Sequence, residues 1–200
     1  MQLIYSGKTK RCLLKYNFPK SFSVSFTKNH WSNNEKLLEF FDKVIFPYLE
    51  EIKKQKGLPK EQRSLVIMDT FKGQDNDIIK EFCSKNNCEI VIVPNNLTNK
   101  FQPLDLTVNK LAKSFIQNQY NDWFSTQVAH QLKEGKNPAD IKVSSKLSDL
   151  KPLHAGWIKS LYDRMQEESE SICNGFKDAG VLEAISDAQK IYETIENPFR

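Results

Sequence analysis

The chain has 200 residues, 39% of them hydrophobic, 27% charged, and a formal net charge of +4. That length suits one domain, or one domain with a helical extension, and thirteen Phe, six Tyr and three Trp exclude a disordered chain. No apolar stretch approaches the roughly 20 residues that cross a bilayer, and the N-terminus reverses the charge order of a signal peptide, so a soluble, cytosolic or nuclear protein is expected.

Met1 to Tyr5 reads as a strand entered without a lead-in, and FSVSF (Phe22 to Phe26) alternates like a half-buried strand. Ser32 and Glu35 have the spacing of a capping box, with Trp31 as a staple against the helix that follows. That helix carries Leu37, Leu38, Phe41, Val44, Ile45, Tyr48, Leu49 and Ile52 at helical spacing, and Gly57 and Pro59 stop it. SLVIM (Ser64 to Met68) is a buried strand with Asp69 at its exit. The polar turn KGQDND leads into a short helix, Asp75 to about Lys85, with Ile78, Ile79, Phe82 and Cys83 on one side. The strand Glu89 to Val93 completes a β-α-β unit, which predicts a parallel pair. Pro94 to Pro103 is a polar loop that delivers Asp105 to the start of a long helix. Val108, Leu111, Phe115, Trp123, Phe124, Val128 and Leu132 form its expected buried face. After a break at Gly135 to Pro138, helices resume near Ser144 with Leu147, Leu150, Leu153, Trp157, Leu161 and Met165 as one apolar series. Gly180 sets off a last helix, Val181 to Ile195.

Several chemistries find no support. Gly7-Lys8-Thr9 looks like the tail of a phosphate-binding loop, but the position of its first glycine holds Gln2, which excludes a nucleotide cofactor. Lys8, Lys10 and Arg11 form a small basic cluster, read either as a solvated turn or as a DNA-backbone contact. His30, His130 and His154 are scattered, so no hydrolytic triad is implied. Cys12, Cys83, Cys88 and Cys173 lack zinc spacings and read as reduced thiols.

Asp69 and Asp105 stand out. Each alone can be a turn former or a helix cap. Together they follow two parallel strands and would share the sheet edge where ligands of α/β folds gather. Hard carboxylate oxygens there suit divalent cations on a phosphate. Asn99, Lys100, Lys110 and Lys113 flank Asp105 and suit a phosphodiester backbone, or simply a solvated helix start.

LVIMDTFKGQ, VPNNLTNKFQPLD and LSDLKPLHAGW, with QLIYSGKTKRCL and NHWSNNE upstream, resemble the DDE superfamily endonuclease domain of pogo-like, Tigger-like and jerky-like transposases and of proteins domesticated from them. The resemblance implies a ribonuclease H-like α/β fold over residues 1–133 with a helical extension over 134–200. It implies three acids holding two Mg²⁺ (or Mn²⁺) ions for DNA strand cleavage and transfer, and a nuclear location. Asp69 matches the second acid and Asp105 the third. The family's first acid lies on a strand upstream of QLIY, whereas no acid precedes Glu35 here. The resemblance therefore implies an N-terminally truncated, incomplete fold: a parallel β-α-β core lacking the first, central strand and the second. A split sheet follows, with an open edge that a non-native pairing or a partner chain would fill. Catalysis would be impaired. The alternatives are a domesticated, non-catalytic DNA- or protein-binding module and a transposon remnant without function.

Overall fold

A computed structural model describes residues 1–69, 76–94 and 96–196; side chains of residues 76 and 189–196 are not described. The KGQDND turn lies largely outside the described residues. The chain is mixed α/β, mostly helical with small parallel sheets, and it divides into two compact units, Met1–Asn96 and Leu97–Arg200.

In the first unit, β1 (Gln2–Ser6) pairs in parallel with β2 (Ser23–Thr27), in register from Gln2 opposite Ser23 to Ser6 opposite Thr27. A 3-10 turn, Lys10–Cys12, lies on the connection between them. The helix that follows is interrupted: α1 (Asn34–Phe40), a π turn (Phe41–Ile45), then α2 (Phe46–Lys56). Its cap is Asn33, not Ser32: the Asn33 side chain accepts from the Lys36 N–H, and Ser32 Oγ is buried with no hydrogen-bond partner. Glu35 pairs with Lys36 instead of closing a capping box. Trp31 is 54% exposed and stacks on His30, so it is not a staple.

β3 (Ser64–Asp69) and β4 (Cys88–Val93) form a second parallel pair, with α3 (Asn76–Ser84) between them in sequence. Thus two separate two-stranded sheets, rather than one, are seen among the described residues. Phe41, Ile79, Cys83 and Cys88 are the buried centre; Leu37, Leu38, Ile45, Phe46, Leu49, Val66, Phe82 and Ile90 pack around them. The helices cover the face of the β3–β4 sheet that carries Val66 and Ile90, whereas Leu65 and Val91 stay half exposed. Tyr48 and Ile78, expected inward, point to solvent.

The second unit holds a single helical turn α4 (Thr98–Phe101), a π turn (Leu104–Val108) and α5 (Asn109–Lys133), followed by α6 (Leu147–Glu167), α7 (Ser169–Asp178) and α8 (Val181–Glu196). The expected buried face of α5 is not found; no residue of α5 is buried, and Leu111, Phe124 and Leu132 are exposed. Its packing against α6 runs through rings, with Tyr120 and Trp123 edge-on to Trp157 at 6.4 and 6.3 Å between centroids. On α6 the buried residues are Ala155, Ile158 and Leu161, while Leu147 is exposed, so the buried stripe is rotated from the expected series. No described helix is long and apolar enough to cross a membrane.

Candidate active site

Asp69 is the last residue of β3, directly opposite Val93 of β4, and is half-buried. The ladder fixes it at the carboxyl end of a parallel pair, where the ligands of α/β sheets bind. Among the described residues no hydrogen bond or ion pair engages its carboxylate, an arrangement that suits a hard cation.

Asp105 lies in the second unit, in the π turn that leads into α5, and is exposed. Its backbone N–H donates to the Gln102 carbonyl at 3.0 Å, and its Oδ1 accepts from Asn109 Nδ2. The partner is neutral, so the full charge of the carboxylate remains. π turns cost helix geometry and recur at functional sites, where they re-aim side chains. Asn99 and Lys100 sit exposed on α4, and Lys110 and Lys113 sit exposed on the first turns of α5. None of these three lysines has an ion pair among the described residues. The second unit thus brings Asn99, Lys100, Asp105, Lys110 and Lys113 onto three consecutive elements, while Asp69 belongs to the first unit.

Three features escape sequence reasoning. Asn109 stands one helical turn beyond Asp105, a spacing that could have flagged the pair. The Gln102 side-chain oxygen is buried with no partner, and nothing in the sequence signals that. Gly175 of α7 is pressed against the Asp105 segment: a Cβ there would lie 2.6 Å from Thr107 Oγ1 and 2.7 Å from the Pro103 carbonyl oxygen. Only the absence of a side chain lets α7 approach so closely.

No cluster of three metal-ligating side chains is present among the described residues. Asp69 and Asp105 each suit a hard divalent cation by donor type, and neither has a cationic partner among the described residues.

The sequence profile of the DDE superfamily endonuclease family matches residues 1–197, and the chain belongs to that family. Members of the family are in general divalent-metal dependent. The chain is 23% identical over 183 residues to the human protein "Pogo transposable element with KRAB domain", covering 90% of this chain and 27% of that protein. It is 23% identical over 182 residues to the Mus musculus protein of the same name, covering 90% and 26%. The chain therefore spans about a quarter of the length of these curated relatives. No solved structure matches the chain.

Proposed function

We propose that this chain is a transposase-derived, nucleic-acid-binding DDE domain whose ancestral chemistry is metal-dependent cleavage and transfer of DNA strands, and that it works in the nucleus. The observation that carries the reading is Asp69 closing a parallel strand at its carboxyl end, in a chain matched to the family over residues 1–197. In this reading Asp69 and Asp105 would hold Mg²⁺ or Mn²⁺, and the ion would supply Lewis-acid activation of the attacking oxygen and charge stabilisation of the leaving one. Asn99, Lys100, Lys110 and Lys113 grip the phosphodiester backbone and set it against the acids. Residues 1–133 form the ribonuclease H-like part and 134–200 a helical extension. A partner chain would complete the β3–β4 sheet, whose outer face stays half exposed at Leu65 and Val91.

Residues 1–200 supply two of the three acids such chemistry uses. On their own they should bind metal weakly and cut slowly, because the ligands of a two-metal site act as a unit. The test is nicking of supercoiled plasmid by residues 1–200 with Mg²⁺ or Mn²⁺. Metal-dependent nicking lost in both Asp69→Ala and Asp105→Ala supports the reading. Nicking unchanged in both variants overturns the assignment of the acids. DNA binding with no nicking under any metal favours the second reading, a domesticated non-catalytic module; an exposed Asp105 whose carboxylate accepts only from Asn109 among the described residues is compatible with it.

A further inference from the structure

The basic charge of this protein is not spread evenly. Residues 1–34 contain six cations, Lys8, Lys10, Arg11, Lys15, Lys20 and Lys28, and no acid; the rest of the chain has slightly more acidic than basic side chains. The parallel pairing of β1 and β2 places both carboxyl ends together. Beyond Ser6 the Gly7 N–H donates to the Thr27 carbonyl at 2.9 Å, and Ser6 Oγ donates to the Lys28 carbonyl at 3.1 Å. Lys8, Lys10 and Arg11 therefore emerge at the same end of the ribbon as Lys28. The 3-10 turn is folded tightly over Gly7, where a Cβ would meet Cys12 Cβ and Sγ at 2.3 Å. All four cations are exposed, and none has an ion pair or side-chain hydrogen bond among the described residues. Beyond Lys28 the chain presents Trp31, a residue that is 54% exposed and whose ring stacks on His30 at 5.7 Å between centroids.

Four cations at one end of the ribbon, none with an ion pair among the described residues, create a positive field that a neutral or cationic partner cannot relieve. A polyanion relieves it, and an exposed indole beside the cations adds a face on which a base can stack. We infer that the carboxyl end of the β1–β2 ribbon is a sequence-independent nucleic-acid surface, with Lys8, Lys10, Arg11 and Lys28 on phosphates and Trp31 stacked on an unpaired base. This inference goes beyond the proposed chemistry and does not need it, since neither Asp69 nor Asp105 takes part.

The experiment measures binding of a fluorescein-labelled 20-nucleotide single strand, the matching duplex, and vesicles of anionic phospholipid across a salt series. Each phosphate contact on a single strand contributes a slope of about 0.7 in log K against log salt. The Lys8→Ala/Lys10→Ala/Arg11→Ala variant should therefore lower the slope by about 2. Trp31→Ala should weaken single-strand binding by roughly 10-fold while leaving the salt slope unchanged. Gly7→Ala, which keeps every charge but displaces the 3-10 turn, should also weaken binding. The binding should persist in EDTA, with no divalent metal present, which separates it from the nuclease reading. An unchanged slope in the triple variant, tighter binding of duplex than of single strand, or equal binding to the vesicles would overturn the inference.

Discussion

Two glycines in helices of the second unit make a matched pair for testing the clamp on the Asp105 segment. Gly156, inside α6, would place a Cβ in open space, with nothing within 4 Å, whereas Gly175 in α7 would drive its Cβ to 2.6 Å from Thr107 Oγ1 and 2.7 Å from the Pro103 carbonyl oxygen. Replacing glycine by alanine in a helix interior gains about 0.5–1 kcal/mol from backbone entropy. Gly156→Ala should show that gain, a rise of roughly 1–4 °C in thermal midpoint for a chain of this size. Gly175→Ala gains the same term but meets a backbone oxygen that cannot rotate away, and overpacking costs about 1–3 kcal/mol. The net is a loss of up to about 2.5 kcal/mol and a fall of up to roughly 10 °C. Adding Thr107→Ala should recover only part of the loss, because the Pro103 oxygen stays in place. The assay is thermal unfolding followed by circular dichroism at one protein concentration. If Gly156→Ala and Gly175→Ala move the midpoint in the same direction by the same amount, α7 does not press on residues 103–107 and the clamp reasoning fails.

Two further outcomes follow from buried titratable groups. The half-buried His154 has its pKa held below 6.5 by loss of hydration. The unfolded chain then binds more protons than the folded one as pH drops through 6.5, so stability is intact above that value and lost below it until the folded pKa is passed. The fall in thermal midpoint between pH 7.5 and 5.5 should be smaller in His154→Gln, and identical falls would refute the assignment. Burial pushes the Cys83 thiol up to about 12 and raises Cys88 as well, and both side chains are essentially inaccessible. Iodoacetamide at pH 8 should therefore label exposed Cys173 in the native protein but reach Cys83 and Cys88 only in denaturant, as read by peptide mass. Native labelling at Cys83 would contradict the core described above.

The β3–α3–β4 unit was legible because its two apolar runs are short, rich in β-branched residues and separated by one amphipathic helix. The first helix was legible in its existence but not in its phase. The π turn at Phe41–Ile45 accommodates one extra residue, so beyond it the inward stripe advances by one position: Phe46 and Leu49 pack inward and Tyr48 turns out. No local pattern announces such a turn. The cap moved by one residue because Ser32 and Asn33 are both good caps, and backbone geometry decides between them. On α5 the apolar residues Ile116, Tyr120, Phe124, Val128 and Leu132 recur every four residues and drift around the helix axis. α6 covers only part of so wide a band. The positions of Asn99, Lys100, Lys110 and Lys113 beside Asp105 were readable because they are local in sequence. Gly175 was not, since its contact with Pro103 and Thr107 joins residues about seventy positions apart.

The choice between chemistry and packing for the two acids turns on where their charge goes. An aspartate kept as a helix cap accepts from backbone N–H groups in the first turn, and that bond is what stabilises the helix. Asp105 makes no such bond: its carboxylate accepts from the Asn109 side chain, and Val108, which precedes α5, caps nothing through its side chain. An aspartate kept for an ion pair would face a lysine or arginine, and neither Asp69 nor Asp105 does so among the described residues. Each acid is nevertheless held in place, Asp69 by the β3–β4 ladder and Asp105 by α7 packed against its segment at Gly175. A carboxylate that is positioned by backbone and has no cationic partner among the described residues is compatible with cation binding. That combination, rather than the mere presence of aspartates near strand ends, supports the metal-binding reading.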